Sequence, residues 1–437
     1  MVRRRWTQLA ILSSLALLTA CNPPDPVLLG DRESIGRDAA FAATTENVAL
    51  PIELPAATPV TAWTHPGGNT LHRIPHAAFG STATLAWSAN IGRGDNRRTR
   101  INARPVAAEG RVFTVDAQGR VSATSSAGAA LWSRDLTPPA ERSGQGGSSG
   151  LSYGGGKLFV NSGFGEVLAL DPSTGAELWV QDIDALGGAS ATYFDGRLYV
   201  AARDSVGWAI DADTGRVDWQ INGTPGGSGY VGGGGPAVTD EFAIFPFLSG
   251  ELVATFRRGG VQRWNASVLG RRPGVAYSRI SDLAADPVVA GSTIYAANAA
   301  GRLAALNLGN GERIWTARDG TITTPAIAGG SIFFVSDQNA LTRLSAATGE
   351  RIWAQQLPLF EERRARRQKT VFAHLGPVLA GGRLWVASSD GALRSFDPVS
   401  GAELGATSIP GGAATAPIVA DGTMYVVSKR GTLLAFR

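Results

Sequence analysis

Charge, sulfur and histidine are all scarce in this chain of 437 residues. Charged residues make up 17 %, and there are one cysteine, two methionines and four histidines. A single cysteine excludes an intramolecular disulfide and any metal site built on several thiolates. The formal charge is +4 and includes three arginines near the N-terminus, so the rest of the chain is close to neutral. We therefore expect no nucleic-acid partner.

Glycine and short apolar runs, by contrast, are abundant. The chain contains 56 glycines and 23 prolines, and 44 % of its residues are hydrophobic. The apolar runs are about five residues long, alternate with polar residues, and are separated by turn residues. This pattern predicts an all-β protein of many short strands and argues against long helices.

The N-terminus carries an export signal. Residues 9–18 (LAILSSLALL) follow the arginines and are too few to cross a bilayer as a stable helix. The tetrapeptide 18–21 (LTAC) resembles the bacterial lipobox, in which the cysteine is lipidated and becomes the first mature residue. The resemblance implies a signal peptide at 1–20, a lipidated Cys21 and, from Asn22 that follows it, transport to the outer membrane. An ordinary signal peptide with an incidental cysteine is the alternative.

The segment that follows shows no sustained period of 2 or 3.6 residues. Residues 21–80 are therefore predicted to be a lipidated N-terminus and flexible tether, with a short helix near 31–42. His65, His72 and His76 lie in this tether, but no cysteine or acidic cluster completes a zinc shell. We expect no metal site.

A repeat begins at residue 83. Its clearest copy, residues 287–315, starts at a proline, ends at a tryptophan and contains four alternating apolar runs, which are PVVAG, TIYAAN, RLAALN and RIWTA. Four half-buried strands cannot bury both faces of one sheet, so neighbouring copies must pack face to face. A period of 40–50 residues with four strands each predicts a β-propeller.

The number of copies and the closure of the ring follow from the two ends. The last copy, residues 417–436, stops after three strands, whereas Leu85-Ala86-Trp87 stands alone before the first full copy. We predict that this N-terminal strand completes the last blade and closes an eight-bladed propeller within residues 81–437. One residue per blade marks the fourth strand and is expected to pack between blades rather than to form a ligand cage: Trp87, Trp132, Trp179, Trp219, Trp264, Trp315, Trp353 and Leu404.

The repeat resembles the quinoprotein-type propeller repeat, which raises the possibility of an enzyme. Quinoprotein alcohol dehydrogenases are larger chains and typically carry a vicinal cysteine pair beside the cofactor. The one cysteine here belongs to the lipobox, so that pair is missing. A shared fold does not confer activity, and we expect no cofactor and no catalytic residues.

Lipobox, tether and eight blades together resemble the BamB family, the lipoprotein subunits of the β-barrel assembly machinery. Residues 278–283 (SRISDL), followed by DPVV, are similar to a family loop that contacts the periplasmic POTRA domains of BamA together with a loop one blade earlier. The resemblance carries over to Arg279, Ser281 and Asp282. The earlier loop falls at residues 229–232, where the family arginine is missing and Tyr230 and Val231 are the candidate contacts.

Propeller geometry groups the longest loops. Connections from the fourth strand of one blade to the first strand of the next emerge on one side, so loops 220–235, 265–286 and 354–376 should be neighbours. Binding residues concentrate in such loops. The third loop contains Arg363, Arg364, Arg366 and Arg367. These arginines are predicted either to meet an acidic partner or anionic headgroups, or to be a solvated loop.

The resemblance implies a non-catalytic scaffold, held by its lipid at the periplasmic face of the outer membrane. Its expected partners are a BamA-like barrel protein and, through free strand edges or loops, nascent outer-membrane proteins. Two alternatives stay open from the sequence. One is a quinone-dependent propeller dehydrogenase, and the other is a surface lipoprotein that binds glycans or peptides.

Overall fold

Short antiparallel strands account for nearly all of the regular structure. The computed structural model describes residues 46–437 apart from 143–145, 147–148, 186–188, 228, 230–231, 271 and 273–279. The predicted signal peptide, Cys21 and the predicted helix near 31–42 lie outside these residues. Within them, 32 strands form eight four-stranded sheets, and Ala365–Arg367 forms a single 3-10 turn.

Seven of the sheets are each built from four consecutive strands that pair in chain order. The first strand of the chain, β1 (Leu85–Asn90), belongs to the eighth sheet. Blades 1 and 2 contain β2 (Val106–Ala108), β3 (Arg111–Val115), β4 (Arg120–Ser125) and β5 (Ala130–Asp135), then β6 (Gly150–Gly154), β7 (Lys157–Asn161), β8 (Glu166–Leu170) and β9 (Glu177–Asp182). Blades 3 and 4 contain β10 (Thr192–Phe194), β11 (Arg197–Ala201), β12 (Val206–Asp211) and β13 (Val217–Asn222), then β14 (Ala237–Val238), β15 (Phe242–Pro246), β16 (Glu251–Phe256) and β17 (Gln262–Ser267).

Blades 5 to 7 repeat this order. Blade 5 contains β18 (Val288–Ala290), β19 (Thr293–Asn298), β20 (Arg302–Asn307) and β21 (Arg313–Ala317). Blade 6 contains β22 (Ala326–Ala328), β23 (Ser331–Val335), β24 (Ala340–Ser345) and β25 (Arg351–Gln356). Blade 7 contains β26 (His374–Ala380), β27 (Arg383–Ser388), β28 (Ala392–Phe396) and β29 (Glu403–Ser408). In each blade the first strand is largely buried and the fourth is largely exposed, so the first strand faces the axis.

The two ends of the chain share blade 8. It contains β30 (Ile418–Ala420), β31 (Thr423–Ser428) and β32 (Thr432–Phe436), and β1 is its fourth strand. The β1 and β32 strands are antiparallel, with Leu85 opposite Phe436 and Asn90 opposite Thr432. The predicted eight blades and the predicted closure by the N-terminal strand are both confirmed. Closure pairs an edge that would otherwise accept strands from other chains.

The repeated tryptophans pack between blades, as predicted. Each lies against the turn between the third and fourth strands of the next blade; the indole N–H of Trp353, for example, donates to the Pro398 carbonyl at 3.3 Å. At Gly401 in that turn, a Cβ atom would lie 2.8 Å from the Trp353 ring, and φ is +75°. Position 401 therefore requires glycine for two reasons, the lack of space for a Cβ atom and the left-handed backbone conformation. The same donation to a turn carbonyl is made by Trp87, Trp132, Trp179, Trp264 and Trp315.

Ring closure explains why blade 7 has leucine at this position. The next blade is blade 8, whose third and fourth strands are joined by no turn because they are the two ends of the propeller. The termini meet there instead, with Thr84 and Arg437 exchanging backbone hydrogen bonds of 2.7 and 2.9 Å. An indole at position 404 would find no glycine turn to receive it, and Leu404 is 47 % exposed.

Residues 60–77, here called the axial segment, run across the propeller where the first strands end. Trp63 exchanges backbone hydrogen bonds with Ala107 of β2 at 2.7 and 2.9 Å, and Ala77 bonds to Leu379 and Gly381 at the end of β26. Further backbone contacts join it to β6, β14, β18 and the turn after β30. A side-chain contact from His65 to Tyr193 adds β10. The axial segment is therefore tied to seven of the eight blades and closes this end of the channel.

Part of the predicted tether thus belongs to the folded body. Residues 46–80 pack against the propeller instead of extending from it, and Trp63 is 1 % exposed. The absence of a period in this segment was interpreted as flexibility. The physical reason for the difference is that the segment meets a ring of strand ends, one blade after another, so its buried residues follow no helix or strand period.

The buried histidines of the axial segment should make the fold sensitive to acid. Burial, together with the nearby His72, lowers the pKa of His65 to about 3. In the unfolded chain the imidazole is protonated below about pH 6.5, whereas in the folded chain it stays neutral down to about pH 3. The free energy of unfolding therefore falls by about 1.4 kcal/mol for each unit by which the pH drops from 6.5 to 3. We expect His65→Gln, which keeps an acceptor for the Tyr193 amide, to reduce the loss of unfolding free energy between pH 7 and pH 5 by about 2 kcal/mol. Urea unfolding at pH 7 and pH 5 measures this loss for both proteins. An equal loss in His65→Gln and the unmodified chain would contradict the prediction.

Candidate functional site

The candidate site lies on the loop face, the end of the propeller that carries the connections from each fourth strand to the next first strand. Loops 223–236 and 268–287 lie side by side there, since the Gly234 amide donates to the Leu283 carbonyl at 3.1 Å. Leu375 and Gly376, in β26 directly after the third long loop, line a cavity with Gly232 and Gly233. The predicted grouping of the three loops on one face is confirmed.

Asp282 lies beneath this face, not on its surface. Its side chain is 3 % exposed and pairs with Arg203 of blade 3, with 3.1 Å between Oδ2 and Nη1. Loop 223–236 covers the pair closely, because a Cβ atom on Gly229 would lie 2.4 Å from Asp282 Oδ2. The carboxylate therefore ties loop 268–287 to blade 3, and Gly229 of the loop above packs directly against it. Arg203, which keeps 21 % of its side chain exposed, is the part of the pair that reaches solvent.

The other predicted contact residues are placed differently. Ser281 is half-buried at the loop face, and its hydroxyl donates to the Leu248 carbonyl at 3.3 Å. Tyr230, Val231 and Arg279 lie outside the described residues. A direct contact of any of these residues with a partner stays a prediction.

A buried carboxylate at the axis was missed by the sequence reasoning. Asp286, just before β18, has a side chain 1 % exposed and accepts hydrogen bonds from Arg104 of blade 1, from Thr324 of blade 6 and, at 2.8 Å, from the Gly235 amide of blade 4. Blades 1 and 5 are four apart in a ring of eight, so the pair of Arg104 and Asp286 crosses the channel. This axial hub joins the starts of four first strands.

The charges of the axial hub are matched. Burial alone would raise the pKa of Asp286, but Arg104, His72 and the Thr324 hydroxyl hold it below its ordinary value. Burial lowers the pKa of His72, although Asp286 acts in the opposite direction. The pair is therefore an ionised carboxylate and a guanidinium with the His72 imidazole beside them, and removal of either charge would leave the other buried without its partner.

The sequence did contain a signal for the hub. Arg104, Asp286 and Thr324 each come immediately before the proline that opens a copy of the repeat. These positions all lie at the start of a first strand, so they face one another around the axis. Aligning the copies on that proline would have marked the charged and polar members of the set.

A cavity of about 190 Å³ opens beside the hub at the loop face. Trp63, Pro66 and Ile74 of the axial segment line it together with Ile322 and Arg104. It is a shallow apolar cup with one guanidinium in its wall, and that guanidinium already has a carboxylate partner. Over the described ranges no group of three or more His, Cys, Asp or Glu residues is placed to hold a metal ion.

The four arginines of the third loop are solvent-exposed. Arg363, Arg364, Arg366 and Arg367 lie at the tip of a hairpin between blades 6 and 7, in and around the 3-10 turn.

No helix in the described part of the chain has the length and apolar character needed to span a bilayer.

Comparisons with known proteins agree with the propeller and add the family. The outer membrane protein assembly factor BamB of Yersinia pestis is 24 % identical over 373 residues, which cover 84 % of this chain and 92 % of that protein. The crystal structure of BamB from Moraxella catarrhalis has a TM-score of 0.66 at 18 % identity, covering 82 % of this chain and 100 % of that one. A quinohemoprotein alcohol dehydrogenase from Comamonas testosteroni has a TM-score of 0.65 at 15 % identity, with 87 % and 81 % covered.

The two solved structures show only that the fold is shared, because the BamB and the dehydrogenase have nearly the same TM-score against this chain. The family model separates them. A model described as outer membrane protein assembly factor BamB matches residues 117–355 and 363–437, which is well over half of the chain. This chain belongs to the family of the outer membrane protein assembly factor BamB.

Proposed function

We propose that this protein is a non-catalytic scaffold lipoprotein of the outer-membrane β-barrel assembly machinery. In this proposal its loop face binds the periplasmic domains of a BamA-type barrel protein and so assists insertion of outer-membrane proteins. The family membership supports the machinery, and relatives with this name cover most of the chain. Lipidation at Cys21 would hold the protein at the periplasmic face of the outer membrane.

The observation that carries the proposal is the pairing of two loops through their described residues. Loops 223–236 and 268–287 are tied to each other through Gly234 and Leu283, and to the blades through Asp282 and Asp286. These are also the two loops that the family resemblance assigns to the partner, and their proximity supports that assignment.

A scaffold also fits the filled channel better than a dehydrogenase does. At the loop end Arg104 crosses the axis to Asp286, and at the other end the axial segment is tied to seven blades. The space beside the hub is a cavity of only about 190 Å³, which opens at the loop face. The central position is thus taken by the protein's own side chains, which supports a structural role for the channel.

A pair of serine substitutions in blade 5 tests the proposed surface. Ser281→Arg places a long cation on the loop face, whereas Ser292→Arg places the same cation on the exposed turn after β18, at the opposite end of the blade. We expect Ser281→Arg to reduce recovery of the barrel protein at least roughly tenfold in affinity capture from detergent-solubilised membranes, because the long side chain would not fit a surface that binds around serine; a tenfold loss corresponds to about 1.4 kcal/mol.

The control and the contradictory outcomes are defined by the same assay. Ser292→Arg should recover the barrel protein as the unmodified chain does, and both variants should keep the unmodified circular dichroism spectrum. Equal losses in both variants would show that the loop face is not the binding surface. Recovery of the unmodified, lipidated protein without any BamA-type barrel would contradict the proposed function itself.

A further inference from the structure

Residues 358–373, here called the basic hairpin, form an ordered projection between blades 6 and 7. Phe360 and Val371 face each other across its two arms, and backbone hydrogen bonds of 3.1 and 2.9 Å join Glu361 to Thr370 and Phe372 to Leu359. Its base is fastened to the blades. His374 Nε2 lies 2.8 Å from the Pro358 carbonyl, and Asn339 Nδ2 donates to the Phe372 carbonyl at 2.9 Å.

The tip of the basic hairpin concentrates positive charge. Four arginines and Lys369 stand against two glutamates within residues 361–369, for a net charge of +3. All five cationic side chains are exposed, and none of them takes part in the ion pairs found between described residues. The charge is therefore available to a partner.

Apolar side chains accompany this charge. Leu359, Phe360 and Val371 are 37 %, 38 % and 52 % exposed, just behind the tip. Phe360 and Val371 are opposite one another on antiparallel arms, so their side chains lie on the same side of the hairpin. A cationic tip backed by exposed apolar side chains is the combination that binds an anionic bilayer surface, with charges at the headgroups and apolar groups at the acyl boundary.

The N-terminal chain enters the folded body at the base of the same hairpin. Asn47 exchanges hydrogen bonds with Ala354 at 3.0 and 3.1 Å, and the Val48 amide donates to the Ile352 carbonyl at 3.0 Å. Both partners belong to β25, which leads through Leu357 directly into the hairpin. The point where the chain arrives from Cys21 is therefore a few residues from the basic hairpin.

The length of chain between the anchor and this point permits contact. Twenty-four residues separate Cys21 from Glu46. Even fully extended they reach about 80 Å at roughly 3.3 Å per residue, and any shorter path brings this edge of the ring nearer to the anchored surface. A lipid on Cys21 would therefore hold the propeller through the edge at blade 6, where Asn47 and Val48 join it.

We infer that the basic hairpin binds anionic lipid headgroups and sets the edge of blades 6 and 7 against the membrane, an inference that rests on the proposed lipid anchor only for its orientation. A lipid anchor combined with a basic patch forms a two-part membrane attachment. The loop face would then lie at an angle to the bilayer, since the hairpin projects from the same end of the propeller as the candidate partner loops.

Vesicle binding tests the inference without the lipid anchor. The probe is residues 22–437, because residues 46–437 form one closed body, mixed with vesicles of phosphatidylcholine alone or with 30 % phosphatidylglycerol. We expect sedimentation with the anionic vesicles only. Replacing Arg363, Arg364, Arg366 and Arg367 by glutamine should weaken that binding at least roughly tenfold, because each basic residue near such a surface contributes about fivefold.

Matched variants make the result specific. A control set of four exposed arginines elsewhere on the chain, Arg73, Arg216, Arg258 and Arg263, is replaced by glutamine for the same change in net charge. It should leave vesicle binding unchanged, and Phe360→Ser with Val371→Ser should weaken it with all the arginines present. Equal losses from both arginine sets would overturn the inference.

The test also separates this inference from the proposed function. The vesicles contain no barrel protein, so a failure to bind them overturns the membrane contact and leaves the scaffold proposal standing. If the four hairpin substitutions instead abolish capture of the barrel protein and leave vesicle binding intact, the hairpin binds an acidic protein surface and the inference is wrong.

Discussion

Replacing Trp353 with alanine should lower the free energy of unfolding by about 3–5 kcal/mol. The indole is 0 % exposed, lies against Phe333 and donates to the Pro398 carbonyl of the next blade. Its removal opens a cavity between two sheets that are fixed by their own hydrogen bonds and by neighbours on both sides. A ring cannot relax by letting one blade move inward, so little of the cavity should close. Urea unfolding at pH 7 measures the loss.

Leu404→Ala is the matched control, because it changes the same position of the repeat in the next blade. Leu404 is 47 % exposed and has no turn of the following blade to pack against. We expect it to cost less than about 1 kcal/mol. If both variants lost the same stability, the repeated aromatic would not be the contact that joins blade to blade.

The propeller could be predicted because the same sequence pattern recurs in copy after copy along the chain. Most copies show the alternation of four strands, the turn glycine and the packing tryptophan, so weak signals repeated at one phase identify the fold. The exception is informative too. Leu404 at the tryptophan position and the lone strand around Trp87 mark the same event, the closure of the ring in blade 8. The sequence predicted that closure from the missing strand of the last copy together with the lone strand around Trp87.

The axial segment could not be predicted in the same way. Its contacts with β2, β14, β18 and β26 are made one blade at a time and mostly through backbone atoms, which leave no side-chain pattern. His65 and His72 were considered as metal ligands and set aside, but their burial was not expected. A histidine whose ring nitrogens bond to a backbone amide or carbonyl looks, in sequence, the same as one in a solvated tether.

The candidate site was predicted in outline and not in its chemistry. The loops were placed on one face from topology alone. That Asp282 would be buried against Arg203 required knowing which turn of blade 3 lies beside loop 268–287. Asp286 was included in the family stretch without a role, since the arginine that pairs with it is 182 residues earlier, at position 104. Long-range pairs across a ring axis carry no local signal.

Asp286→Ala should destabilise the protein by about 3–5 kcal/mol, because it leaves Arg104 without its buried counter-charge and removes the acceptors of Thr324 and the Gly235 amide. The double variant with Arg104→Ala should cost less than the two single variants added together, since no uncompensated charge remains. Asp213→Ala, which removes a carboxylate 78 % exposed and paired with Lys157, should cost less than about 1 kcal/mol.

The pH dependence of this loss distinguishes a charge effect from a packing effect. Arg104, His72 and Thr324 outweigh burial and hold the pKa of Asp286 below the ordinary value of 3.8. A depressed carboxyl pKa contributes stability that is fully present above the unfolded value and is lost as the pH falls through the folded one. The difference between the unmodified chain and Asp286→Ala should therefore stay constant from pH 7 to about pH 5 and narrow below about pH 4. A difference that persisted undiminished at pH 3 would mean that the shape of the hub, and not its charge, joins the four blades across the axis.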